Sequence, residues 1–141
     1  MTWLAETAIL SYGWRRFLLL LAAGGGAALS VAPLFVLPAL FIGMPIWVWC
    51  LDGAERHKGI RAFFSPAFLI GFAFGLGYFT VAIHWIGAAF IQEGGWFIFL
   101  MPLAILGLAA ILALFWAVAS ALAHLLWSGG AWRILTLATF V

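Results

Sequence analysis

Between Arg16 and Asp52 the chain runs for 35 residues without a charge. As a single α-helix that stretch would be about 50 Å long at 1.5 Å per residue, against roughly 30 Å of bilayer hydrocarbon. It is too long for one membrane crossing and too apolar to face water. Pro33 and Pro38, in "VAPLFVLPAL", divide it, because proline removes a backbone donor and disfavours helix at the residue before it. The stretch predicts two spans, about 15–32 and 35–51, joined by a tight turn near Pro33.

The same constraint extends over the whole chain. It is 68% hydrophobic and 7% charged, where an ordinary globular domain is about 25% charged. Six basic and four acidic side chains cannot cover a soluble fold of 141 residues, so the solvent must be the bilayer. A β-barrel would need short strands alternating with a polar lumen face, and the long apolar runs exclude it. The expected fold class is all-α, a polytopic transmembrane helix bundle.

"DGAERHKGIRAFFS" (52–65) holds Asp52, Glu55, Arg56, Lys58 and Arg61. Each charge costs roughly 2.5–3.5 kcal/mol at a helix centre, so this group reads as a loop. A third span starts near Pro66, a favoured first-turn residue, and runs to about 90. "QEGGW" (92–96) breaks the chain again. A fourth span covers about 97–127, and a fifth begins near Trp132. Residues 1–14 are then a cytoplasmic amino-terminal segment and 15–141 the transmembrane domain, with four full spans and the start of a fifth at 132–141. The last residues, "RILTLATFV", lie within an apolar run, so the chain reads as the front part of something longer.

The basic residues fall on one side of this ladder. Arg15 and Arg16 precede the first span, Arg56, Lys58 and Arg61 lie between the second and third, and Arg133 lies between the fourth and fifth. By the positive-inside rule the amino terminus is cytoplasmic. The net charge of +2 thus carries orientation, and no nucleic-acid partner is implied. Trp14, Trp47, Trp49, Trp127 and Trp132 fall near the cytoplasmic boundary and Trp85 and Trp96 near the other, as interfacial tryptophan does. Trp116 sits mid-span and does not fit. "RRFLLLLAAGGGAALSVA" resembles a secretory signal, but Pro33 follows Ala32 and another apolar span follows at once. Arg15-Arg16 reads as ordinary positive-inside anchoring rather than a twin-arginine signal.

Most chemistry-bearing residues have a structural reading. The glycines of "AAGGGAALS" (22–30) have no strand before them and form no phosphate cradle. Small residues let helix backbones approach, and Ala67, Gly71 and Gly75 would do the same along one face of the third span. Cys50, the single cysteine, reads as a small buried hydrophobe, since a reactive thiol needs a base or positive field and access. His57, His84 and His124 lie on three different elements and make no metal site. No cofactor is implied.

His84 and Trp85, in "GFAFGLGYFTVAIHWIG" (71–87), are different. Counted from Pro66, His84 lies about 27 Å along the span, near the non-cytoplasmic boundary, with Glu93 on the same side. Ionisable residues within a membrane are functional candidates by default. At this depth the ring can also reach water, so the pair marks where the apolar run ends. His84, Trp85 and Trp96 are the candidates for an interfacial or lipid-path role.

The order "WRRFLLLLAAGGGAALSVAPLFVLPALFIGMPIWVWCLDGA", then "GFAFGLGYFTVAIHWIGAAF", then a long apolar span and "WRILTLA", resembles the amino-terminal membrane part of bacterial apolipoprotein N-acyltransferases. The resemblance rests on Ala32-Pro33 closing the first span, Pro38 soon after, and the glycine-aromatic run before Trp85-Ile86. It implies an inner-membrane enzyme with eight transmembrane helices and a periplasmic nitrilase-like domain. Such enzymes take an acyl chain from a phospholipid onto a catalytic cysteine. They pass it to the amino group of the diacylglyceryl-cysteine of a lipoprotein. The family's Glu-Lys-Cys set belongs to the nitrilase-like domain. No residue of this chain matches that set, so none inherits a catalytic role and Cys50 is not the nucleophile. The resemblance does not call for histidine before that tryptophan, so no shared role carries to His84. It implies a phospholipid donor, a diacylated lipoprotein acceptor and lipid delivery to the domain above.

Two rival classes remain at the level of sequence. A small multispan transporter would show paired intramembrane charges or broken helices repeated in two halves, and only Pro33 and Pro38 hint at that. A structural membrane subunit would share the composition.

Overall fold

The computed structural model describes residues 13–31, 35–54 and 66–125. Every regular element among them is helical: α1 Trp14–Ala28, α2 Leu37–Asp52, α3 Pro66–Ala82, a 3₁₀ turn His84–Ile86, α4 Gly87–Glu93 and α5 Phe97–Leu125. Glu55, Arg56, His57, Lys58, Arg61, Trp127, Trp132, Arg133 and the expected fifth span lie outside the described residues.

Close contacts fix the directions of the helices. Arg16 on α1 donates to the Cys50 carbonyl on α2, and Gly43 of α2 meets Ala23 and Ala27, so α1 and α2 are antiparallel. Gly24 meets Phe74 and Tyr78, and Gly25 meets Val81, so α3 runs parallel to α1. Gly71 meets Ser120 and Gly75 meets Ala113, so α5 is antiparallel to α3. The bundle therefore alternates in direction, with α3 between α1 and α5.

Small residues set how closely these helices approach. A Cβ added at Gly24 would lie 2.9 Å from the Phe74 carbonyl carbon, and one at Gly77 3.0 Å from the Leu21 Cα. At Gly71 the same atom would meet the Ser120 hydroxyl and lie 2.6 Å from the Trp116 carbonyl oxygen. Ala67, Ala73, Ala109, Ala113 and Ala117 are fully buried along the same seams. Lipid chains are as apolar as leucine, so association must come from packing, and backbones in contact supply it.

α5 is the one described helix long and apolar enough to cross a membrane, over Ile98–His124 with a mean hydropathy of 2.7. Only 11% of its most apolar window is buried. A soluble core helix would hide such a surface, and this one leaves it open. α1 and α2, at 15 and 16 residues, are about 22–24 Å long, shorter than the spans expected over 15–32 and 35–51. The turn between them takes the difference. Ser30 bonds back to the Ala27 carbonyl at 2.7 Å, and Val36 N–H donates to the Leu29 carbonyl at 2.9 Å. Pro38 occupies the first turn of α2, where its missing donor costs nothing.

The single span expected over 66–90 is interrupted. α3 ends at Ala82, and the following segment departs from its axis by 43°. Thr80 donates its hydroxyl to the Leu76 carbonyl at 2.7 Å, a back-bond that bends helices, and Ile83 leaves helical geometry at φ −101°, ψ 6°. The two pieces reach spanning length only together.

Candidate functional site

At the bend the three candidates separate into two groups. His84 and Trp85 sit in the 3₁₀ turn, while Trp96 lies beyond α4 in the turn before α5. His84 is exposed, and its Nδ1–H donates to the Val81 carbonyl at 2.6 Å. A carbonyl can only accept, so Nδ1 carries the proton, and in the neutral ring Nε2 keeps its lone pair. Val81 is one of the last carbonyls of α3, left without an intrahelical donor by the break. His84 is thus a side-chain cap at the negative end of that helix.

α4 returns the chain to α5. Gly87 is buried, and a Cβ there would lie 2.7 Å from Met101 Cε and 3.3 Å from Ile105 Cδ1. The other face, with Ala88, Ala89, Ile91, Gln92 and Glu93, is exposed. Gly94 and Gly95 then take φ of 69° and 62°, a left-handed conformation that glycine adopts without cost. Beyond them Trp96, 76% exposed, stacks on Phe99 with centroids 5.4 Å apart. Trp85 is 64% exposed and makes no ring contact with Trp96. Around the bend and the start of α5 the exposed apolar side chains are Trp85, Ile91, Trp96, Phe99 and Leu103, termed the ledge below, and His84, Gln92 and Glu93 are exposed in the same segment.

Among the described residues no group of three His, Cys, Asp or Glu could hold a metal ion. Cys50 is fully buried in the core near the opposite end of the bundle, with its own carbonyl held by Arg16. His124, in the last turn of α5, is buried too.

Reasoning from sequence missed an aromatic cluster. Trp116 packs against Trp47, Phe74, Tyr78 and Phe79, with ring centroids 5.5–6.2 Å apart. Its mid-span position, out of place for an interfacial anchor, was the available signal. Trp47, expected near the cytoplasmic boundary, is 3% exposed and packs inside the core. Gly43, which seats α2 on α1, carried no signal, being a lone glycine in an apolar run.

The described residues define an all-helical bundle with one helix long and apolar enough to cross a membrane. Comparison with known proteins takes the assignment further. The family model for the apolipoprotein N-acyltransferase N-terminal domain matches residues 23–141. The chain is 44% identical over 137 residues to the apolipoprotein N-acyltransferase of Rhodopseudomonas palustris, with 96% of this chain and 25% of the relative covered. It is 43% identical over 137 residues to that of Brucella suis, covering 96% and 26%, and 45% identical to that of Bradyrhizobium diazoefficiens, covering 96% and 25%. The chain belongs to the apolipoprotein N-acyltransferase family. It spans about a quarter of the length of the curated relatives it matches. No solved structure matches it.

Proposed function

We propose that residues 15–141 are the membrane part of an acyltransferase that moves an acyl chain from a phospholipid to the amino-terminal diacylglyceryl-cysteine of lipoproteins. In this reading the chain crosses the inner membrane four times and begins a fifth crossing, with its amino terminus and residues 53–64 cytoplasmic. The alternating directions of α1, α2, α3 and α5 support it, as does the one-sided set of basic residues. The reaction itself belongs to a nitrilase-like domain outside residues 1–141. This part anchors that domain and delivers lipid to it, past the ledge of Trp85 and Trp96 with His84 at its edge.

The observation that carries the proposal is 44% identity sustained over 96% of the chain. Composition alone makes apolar helices alike, but it does not hold register across four helices and their turns.

A chimera tests it. Residues 1–141 replace the matched quarter of the Rhodopseudomonas palustris relative, in cells depleted of their own N-acyltransferase. The expected result is growth, with N-acylated lipoprotein amino-terminal peptides detected by mass spectrometry. A chimera that accumulates in the membrane while lipoproteins stay diacylated would overturn the proposal.

A further inference from the structure

At the end of the bundle away from the bend, α1 and α3 part around a cavity of about 400 Å³. That volume is within the range of small-molecule sites, roughly 300–1,000 Å³. Its walls are apolar: Phe17, Leu20, Pro66, Leu69 and Ile70. Among the described residues lining it, Arg16 is the one that carries a charge. One terminal nitrogen of its guanidinium caps the Cys50 carbonyl, whereas its Nε is buried with no acceptor. A buried donor without a partner is costly and so marks a place where an acceptor would be stabilising.

The backbone adds to this charge. Gly13 and Trp14, at the start of α1, and Pro66, at the start of α3, also line the cavity. The first residues of two helices therefore line it; a helix N-terminus is equivalent to about half a positive charge, and Gly13 provides no side-chain cap for α1. The C-terminus of α2, at Gly53, offsets one of them. A guanidinium and a surplus helix N-terminus over an apolar slot suit an anion joined to a hydrocarbon chain.

The geometry points to a binding site for one anionic phospholipid, its phosphate at Arg16 and the first turn of α1 and its acyl chain between Leu20, Leu69 and Ile70. The site lies at the opposite end of the bundle from the ledge, so its occupant is a bound lipid and not the acyl donor. That exclusion, and the placing of this lipid in the cytoplasmic leaflet, rest on the function and topology proposed above.

Native mass spectrometry of the purified chain reads the site directly. The probes are phosphatidylglycerol and phosphatidylcholine with identical acyl chains, supplied together in detergent. One phosphatidylglycerol should be retained, with a preference on the order of tenfold over phosphatidylcholine. Arg16→Gln should abolish the preference, and Arg16→Lys should keep part of it, since a point charge binds phosphate without the planar fork. Leu69→Trp should expel the lipid by filling the slot while the Arg16–Cys50 contact stays. Should Arg16→Gln fail to fold, Leu69→Trp decides alone. Equal retention of the two lipids by the unmodified chain would overturn the inference, as would a preference that survives Leu69→Trp. The assay has no sidedness and needs no acyl transfer, so its failure would leave the proposed function untouched.

Discussion

The imidazole of His84 reaches back three residues to the Val81 carbonyl at 2.6 Å, where α3 ends and the chain turns by 43°. The histidine is therefore part of the bend before it is anything else. Its bond fills an acceptor that the break left open, and that fixes which ring nitrogen points outward.

His84→Ala should lower thermal stability by about 1 kcal/mol, the net worth of one such hydrogen bond at an exposed site. His84→Asn, whose amide can donate to the same carbonyl, should recover much of that loss. Detergent-solubilised melting curves give both values. Equal stability for all three proteins would show that the bond does not hold the bend.

Glycine contacts give a sharper contrast. Gly77→Ala sets a methyl group against the Leu21 backbone, and Gly24→Ala sets one against that of Phe74. Backbone cannot rotate away as a side chain can, so each should cost about 2–3 kcal/mol by forcing α1 and α3 apart. Gly107, in α5, has no heavy atom within 4 Å of an added Cβ. Gly107→Ala should be neutral or stabilising, by up to about 1 kcal/mol from helix propensity. Denaturation in mixed micelles compares them, and a loss at Gly107 equal to that at Gly77 would refute the packing account.

The Trp116 cluster should be as sensitive. Trp116→Ala removes the ring that joins Trp47, Phe74, Tyr78 and Phe79 across three helices. A loss of about 3 kcal/mol is expected. Trp14→Ala, at a ring 73% exposed, should cost under about 0.5 kcal/mol. The ratio of the two in one unfolding assay is the test.

How far the chain could be read in advance depended on what each residue's neighbours were. Charge spacing and proline bounded the helices, because the cost of burying a charge acts at the residue that carries it. The 35-residue uncharged stretch did resolve into two helices with Pro38 in a first turn. The bend at Ile83 was not legible. It arises from a threonine back-bond and a histidine cap, two local bonds that leave the hydropathy pattern unchanged. Trp47 and Trp116 were unreadable as partners because their contact joins residues 69 apart in sequence. Arg16 was legible as a topological charge but not as the cap of another helix.

Topology can be checked by labelling. On a Cys50→Ser background, single cysteines at Gly59 and Gly94 would meet a membrane-impermeant thiol reagent on cells with opened outer membranes. Gly94, in the turn between α4 and α5, should react and Gly59 should not. Labelling at Gly59 alone would invert the orientation.

Acyl transfer by this chain on its own should be undetectable. A thioester route needs an activated thiolate, a base for the amine proton and donors facing the developing oxyanion. The chain's single thiol, Cys50, is 0% exposed and packed in the helical core. Glu93 ends α4 at the bend, at the other end of the bundle from Cys50, so it cannot serve that thiol as a base. The purified chain would be given phosphatidylethanolamine with a labelled acyl group, and then examined for an adduct that hydroxylamine removes. None should form, while the chimera with the Rhodopseudomonas palustris relative should form one. An adduct on the 141-residue chain that disappears with Cys50→Ala would place the nucleophile inside the membrane part, and the division of labour proposed here would fail.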